Sequence, residues 1–290
     1  MLDIRTLYFL NFLVNLLSSA LMTTIWLQYR KRYQGLWYWA MAMGFMAVAF
    51  GLLLLRDAVA DFFSILLGNF FILAGSFSLL LGFEKFFAIK GSHKLNVFFL
   101  VVFLLIQFYF YTLQPNILAR EIVISVFIIV FTIQSSWLLF WHVPLSLRRI
   151  SAFTGFILSG YAFFSLIMIY LLVFSPEKRS SIFTYTPANS LSMTLYFLLF
   201  NLLVISLVLI VNSRLLADVR KEEEKFYKAF HAVPYGIILS RPDTGEIVEI
   251  NESFEQMSGY RSAEVLGKTT VDLKFWDQEQ DRLELFDKIE

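Results

Sequence analysis

Ser190–Val211 reads SLSMTLYFLLFNLLVISLVLIV, with no Asp, Glu, Lys or Arg in the run. As a helix it is long enough to cross a bilayer, which takes about 20 apolar residues. No Gly or Pro ends it. Asn212–Phe226 continues as NSRLLADVRKEEEKF, rich in good helix formers. Leu215, Val219, Phe226 and Ala229 keep a rough helical spacing that Glu222 interrupts, and the first break is Val233-Pro234-Tyr235. One helix is therefore expected to leave the membrane and continue into water, with Leu215, Val219 and Phe226 as its relay positions. A stiff rod of this kind would carry a change in the bilayer to whatever follows it.

The bulk composition agrees. Hydrophobic residues make up 58% of the 290 and charged residues only 16%, with a mean hydropathy of +0.66. Soluble domains carry nearer 25% charged residues, so this is the composition of an integral membrane protein. The average hides a step: residues 1–211 are apolar, and residues 212–290 read as soluble sequence. A net charge of +1 supplies no basic field for nucleic acid. With no cysteine there is no disulfide, thiolate nucleophile or Cys-ligated metal, and the three histidines lie far apart in sequence. The N-terminal apolar run lacks a basic region and a small-residue cleavage site, so it is expected to be a retained span.

Seven runs reach spanning length: Arg5–Tyr29, Leu36–Leu55, Phe62–Phe83, Leu95–Leu113, Ile117–Trp141, Ile150–Phe174 and Ser190–Val211. The expected fold class is thus an all-α seven-helix membrane bundle followed by a smaller α+β segment. Loops after spans one, three and five carry Arg30, Lys31, Arg32, Lys85, Lys90, Lys94, Arg148 and Arg149, against Arg5, Arg56, Arg120, Lys178 and Arg179 on the other side. The positive-inside rule then puts the N-terminus outside and the residues after 211 in the cytoplasm, in a multi-pass plasma-membrane protein. Trp26, Trp37, Trp39, Trp137 and Trp141 fall at the cytoplasmic interface, where a belt is expected. The longest outer connection, Ser175–Asn189, is too short for an extracytoplasmic binding domain. A stimulus must enter between helices, partition from the bilayer, or be a state of the membrane lipids.

Small residues set the expected packing. Gly68, Gly75 and Gly82 share one face of span three; Ser151, Gly155 and Ser159 recur in span six, and Ala40, Gly44, Ala47 and Gly51 in span two. Such stripes let helices approach closely in lipid. Span four has no Gly, Ala or Ser and is expected at the edge, with spans two, three and six central.

Polar residues at depth are Asn11, Asn15, Asn69, Gln107, Gln134 and Asn201, with Arg56, Asp57, Asp61, Arg120 and Glu121 nearer the outer surface. The amides suit inter-helix hydrogen bonds and the charges suit interfacial pairing. The sharper expectation is an outward-facing pocket for a small or lipophilic ligand, built from Arg120, Asp57, Asp61, Asn11 and Asn69. Glu121, next to Arg120, should point elsewhere on the helix. No cofactor is expected: the last span has no lysine for a retinal Schiff base, and only His142 lies near a span, at its end.

After Pro234 the pattern changes. Tyr235–Ser240 and Glu246–Ile250 are strand-like and flank Arg241-Pro242-Asp243-Thr244-Gly245, which makes a hairpin. Asn251–Ser258 is a short helix with Asn251 as N-cap, closed by Gly259. Ser262–Gly267 is a further turn capped by Ser262, and Gln278–Ile289 is expected to be helical.

Asp243, Gly245, Ile247, Asn251, Phe254, Gly259, Tyr260, Glu264 and Gly267 together resemble the first half of a PAS domain, over about residues 226–290. The resemblance implies three further antiparallel strands completing a five-stranded sheet. Without them Ile247, Val248 and Ile250 would line an open sheet edge or face, so the chain is expected to be a piece of a longer protein rather than a half domain that borrows strands from a partner or is poorly ordered. Flavin attachment through Asn-Cys is impossible here, and no histidine stands where the resemblance would put a haem ligand.

Seven spans joined by a helix to PAS resemble the input half of bacterial sensor histidine kinases and diguanylate cyclases. The implied function is signal input, with residues 1–211 as sensor, 212–230 as signalling helix and 231–290 as the PAS half. No phosphoacceptor-His motif, glycine-rich nucleotide loop or GGDEF-type sequence is present, so no catalysis is expected of these residues. A homodimer through the exit helix is expected. The rival readings are a small-molecule transporter with a regulatory fragment and a plain membrane anchor.

Overall fold

The computed structural model describes residues 4–56, 58–91, 93–174 and 187–275. Asp57, Lys178, Arg179, residues 175–186 of the long outer connection and the expected Gln278–Ile289 helix lie outside the described residues. The chain divides into two compact units, Met1–Arg214 and Leu215–Glu290.

The first unit is helical. Its elements are α1 (Ile4–Tyr29), α2 (Leu36–Leu54), α3 (Gly68–Phe86), α4 (Lys94–Thr112), α5 (Ile117–Trp141), α6 (Arg148–Phe174) and the first part of α7 (Pro187–Ala232). All seven are long and apolar enough to cross a membrane. Each expected span is matched to within a few residues at its start, and span five is matched at both ends. The beginning of span three departs from expectation: Phe62–Leu67 is a π-helical turn that runs directly into α3. Its hydroxyl-bearing residue, Ser64, donates to the Asp61 carbonyl at 3.4 Å, diverting a backbone acceptor where the helix starts.

The small-residue stripes do what their spacing predicts. A Cβ at Gly75 would lie 3.1 Å from the Ala42 carbonyl, and one at Gly68 would meet Leu53 and Ala49, so α3 rests on α2 along this face. The opposite face of α2 rests on α1, where Gly44 meets Ser19, Gly51 meets Phe12, and Ser19 Oγ donates to the Ala40 carbonyl at 3.0 Å. In α6, Ser136 Oγ from α5 donates to the Gly155 carbonyl at 3.0 Å. Helix α4 is at the edge as expected. Only Asn96, Phe103 and Gln107 are buried on it, and Val97, Phe98, Val101 and Leu105 are exposed. Helices α2 and α3 are the most enclosed; α6 is less so, since Phe153, Phe156, Phe163 and Tyr170 face outward.

Trp39 corrects the belt expectation. It is fully buried, its ring centroid 5.3 Å from Phe83 and 5.0 Å from Phe86, and it lies directly against Gly82. The glycine leaves room for the indole, so packing at this place outweighs interfacial anchoring. Trp37, Trp137 and Trp141 do remain exposed. Gly35, at φ +96°, turns the chain into α2 against the end of α3. At the same end Arg214 donates to the Phe86 carbonyl and lies over the Tyr33 and Phe86 rings, 5.0 and 4.7 Å from their centroids. A cation beside the carboxyl end of a helix is favourably placed.

The second unit holds the rest of α7, strands β1 (Ile238–Ser240) and β2 (Ile247–Ile250), and the short helices α8 (Glu252–Ser258) and α9 (Ser262–Val265). The strands form the expected antiparallel hairpin, with an irregularity between Leu239 and Ser240. Ile247, Ile250, Phe254, Val265 and Leu273 form a small core. This alters the expectation that Ile247, Val248 and Ile250 line an open edge. Ile247 and Ile250 face that core, only Val248 is exposed, and Ile247 N–H donates to Lys268 O at 2.8 Å while Gly267 N–H donates to Ile247 O at 2.9 Å. The α9 cap is shifted by one residue: Arg261 holds the N-cap position, and its N–H donates to Glu264 Oε2 at 2.7 Å.

Candidate functional site

The first unit holds a half-open cavity of about 300 Å³, lined from α1, α2, α3, α5, α6 and α7. Voids much larger than a water are few in close-packed interiors, whereas small-molecule sites begin near 300 Å³. The lining begins at Ile4, Leu53, Glu121, Leu172 and Ser192, near one end of the bundle, and reaches Leu79, Thr132, Leu158 and Leu203. From Glu121 to Thr132 or from Ser192 to Leu203 the depth is about 16 Å at 1.5 Å per residue.

Most of its hydroxyl and amide groups are already satisfied by their own helices. Ser125 Oγ donates to the Glu121 carbonyl at 2.8 Å, Ser76 Oγ to Ile72 O at 3.1 Å, Thr132 Oγ1 to Ile128 O at 2.8 Å, and Asn11 Nδ2 to Leu7 O at 2.8 Å. Between α6 and α7 the Tyr161 and Tyr196 rings stack at 5.8 Å. Tyr161 donates to Tyr196 O at 3.2 Å, and the Tyr196 hydroxyl pairs with Ser165 Oγ at 3.0 Å. The exposed wall is therefore mainly hydrocarbon and thioether, including Met43, Met46, Met168 and Met193. Met side chains adapt to irregular guests.

The sequence-predicted pocket residues are divided by the structure. Asn11 and Asn69 line the cavity. Arg120 is buried beside it without lining it, under the charges of Arg56, Asp61 and Glu121. Its backbone carbonyl accepts from Gln107 Nε2 at 3.0 Å, and Gln107 Oε1 accepts from Asn69 Nδ2 at 3.3 Å. This amide relay joins α3, α4 and α5, as expected of packing amides. Asp61 is exposed at the start of the π turn, and Asp57 lies outside the described residues. Glu121 is the acid that faces the cavity. Sequence reasoning placed Glu121 elsewhere because neighbours on a helix diverge by 100°, and it assigned the inner face to Arg120. The tyrosine pair and the methionines were also missed; an aromatic or Met on an apolar helix carries no signal that separates cavity wall from core. Among the described residues, no group of three His, Asp or Glu side chains could hold a metal.

In α7 the relay positions Val219 and Phe226 are exposed and Leu215 is half-buried, with Phe226 stacked on Phe230 at 5.7 Å. Of the motif residues of the second unit, Asn251 is fully buried. Its Oδ1 accepts from Ile237 N–H at 2.8 Å and Phe254 N–H at 3.0 Å, and its Nδ2 donates to Phe230 O and Tyr235 O, both at 2.9 Å. One side chain thus caps α8 and ties it to the end of α7 and the approach to β1. Gly259 and Gly267 take left-handed φ values of +76° and +77°, and Tyr260 lies edge-on to Phe275 at 5.5 Å.

The family model described as PAS domain matches residues 224–290. No curated protein matches the chain. No solved structure matches it either.

Proposed function

We propose that this chain is the membrane signal-input module of a sensor. The bundle would detect a small or lipophilic ligand, or a state of the membrane lipids, and α7 would carry the change to the PAS segment. The observation that carries the reading is α7 itself, unbroken from Pro187 to Ala232 over 46 residues, about 70 Å long. Its first turns line the cavity, and Phe230 near its end is bonded to Asn251. In this reading a shift or rotation at one end of α7 is carried along the helix to the other.

In this reading the N-terminus lies outside, the PAS segment is cytoplasmic, and the module sits in the plasma membrane, as the Lys and Arg asymmetry of the loops supports. The output is a kinase or cyclic-dinucleotide synthase elsewhere in the signalling protein, and residues 1–290 serve input rather than catalysis. Leu216, Val219, Phe226 and Tyr227 are exposed on α7 and support pairing with a second copy through the exit helix. The cavity also fits the alternative of a small-molecule transporter; uptake by reconstituted vesicles, independent of the PAS segment, would favour that alternative.

The test uses bilayer thickness as the input. The chain is reconstituted in dilauroyl- and dierucoyl-phosphatidylcholine, and hydrogen exchange is followed at the β1–β2 hairpin. Exchange should differ between the two bilayers. Val219→Pro breaks the rod at a cost of about 3 kcal/mol and should abolish that difference while the bundle stays folded. A thickness response that survives Val219→Pro overturns the relay.

A further inference from the structure

We propose that the cavity is a seat for the single alkyl chain of an amphiphile, held tail-inward with its polar head at the Ile4 end. The proposal rests on the input-module reading and names the class of ligand.

Four observations carry it. The depth of about 16 Å is half of a hydrocarbon core of about 30 Å, the reach of one lipid chain within its leaflet. The volume agrees with the depth. An apolar cavity of about 150 Å³ takes benzene, so 300 Å³ has room for about a dozen heavy atoms. Polarity is graded along the axis: Tyr8, Glu121 and Ser192 stand toward the Ile4 end, whereas Leu79, Leu158 and Leu203 stand at depth. The hydroxyls along the way, Ser76, Ser125 and Thr132, are turned back onto their own helices and leave no call for a polar guest there.

A compact polar ligand would strand its own hydrogen-bonding groups against this wall, at about 1–3 kcal/mol each. A charged one would fare worse. A chain with a terminal head loses nothing along its length, gains from each methylene transferred, and finds polar groups only where it has one. Met43, Met46 and Met193 can close around a guest with no fixed shape. The chain could belong to a free single-tailed amphiphile or to a membrane phospholipid; the chemistry of the seat is the same for both.

The test is photolabelling of the full chain in nanodiscs. One arm uses dodecanol carrying a chain diazirine, the other a phosphatidylcholine with a diazirine in one acyl chain. Adducts are mapped by peptide mass spectrometry and compared with those on the exposed face of α4 (Val97, Phe98, Val101, Leu105), which report ordinary lipid contact. Labelling is expected at Met43, Ser76 or Ser125. Unlabelled dodecanol at about ten times its dissociation constant should lower it about tenfold, and butanol and cyclododecanol should not. Ser125→Trp, which fills the middle of the cavity, should abolish it and leave the α4 adducts unchanged. Labelling from the alcohol alone assigns the seat to free amphiphiles, and from the phospholipid alone to bilayer lipid. Adducts confined to α4, or equal competition by cyclododecanol, overturn the proposal. Should Ser125→Trp fail to fold, the competition series decides alone. The assay reads occupancy without any relay, so an empty cavity and a broken relay give different results.

Discussion

Asn251→Ala should unfasten the second unit. The side chain makes four hydrogen bonds of 2.8–3.0 Å, two accepted and two donated, from a fully buried position. Losing the α8 cap costs about 1 kcal/mol. Each of the other three groups forfeits about 0.5–1.5 kcal/mol, and water entering the vacated space recovers part of that. A net loss of about 3 kcal/mol is therefore expected, equivalent to a hundredfold or so in an opening equilibrium. The assay is amide hydrogen exchange of the reconstituted chain, read at Ile238–Ser240, Ile247–Ile250 and α8. All three should exchange about a hundredfold faster, because the side chain holds α8 to the approach to β1 and β2 is paired with β1. Asn251→Asp separates its two roles. The carboxylate still accepts from Ile237 and Phe254 but turns an acceptor toward the Phe230 and Tyr235 carbonyls. It should preserve α8 while loosening the end of α7. Exchange within about threefold of wild type in Asn251→Ala would refute the assignment of this residue as the fastener.

Gly35→Ala puts a Cβ 2.5 Å from Gly82 O and 2.7 Å from Phe86 N at φ +96°. Backbone cannot yield cheaply, so beyond the conformational cost of about 1–2 kcal/mol the variant should show a clearly lower thermal midpoint in nanodiscs. Arg214→Ala removes a guanidinium from two rings and a carbonyl. About 2 kcal/mol is at stake, so amides near residue 214 should exchange about 30-fold faster, with partial rescue by Lys, which keeps the charge but not the planar stack. Thr269 N–H and hydroxyl, at 2.9 and 2.8 Å, hold the Asp272 carboxyl below its usual range. A depressed carboxyl stabilises the fold above its unfolded value and loses that contribution as pH falls through the folded one. The Thr269–Phe275 segment should therefore hold in mild acid and loosen only as pH falls below the ordinary carboxylate range, and Asp272→Asn should flatten that dependence in exchange measurements.

The bundle was legible because apolar runs long enough to cross a membrane leave few choices besides helices, and the glycines of α3 mark the face that meets α2. The unbroken course of α7 through Arg214 and Phe226 was equally legible, from the want of any Gly or Pro before Pro234. The Asn251 cap and Gly259 stop of α8 are local chemistry and were predicted from four or five residues. The rest depends on contacts distant in sequence. Trp39 is a belt residue by position and a core residue because Gly82 lies across from it. Glu121 rather than Arg120 faces the cavity because the helix phase is set by packing, which an apolar run does not encode. The cavity itself is an absence of side chains shared by six helices, and no single segment records it.

The account stands on α7 being one rod. With no native cysteine in the chain, spin labels at Val211→Cys and Glu224→Cys can be read without background by pulsed electron resonance in nanodiscs. An unbroken helix predicts a single narrow distribution centred about 20 Å apart along the axis. A broad or two-peaked distribution, reaching well below that separation, would show a joint between the bundle and the PAS segment and contradict the relay.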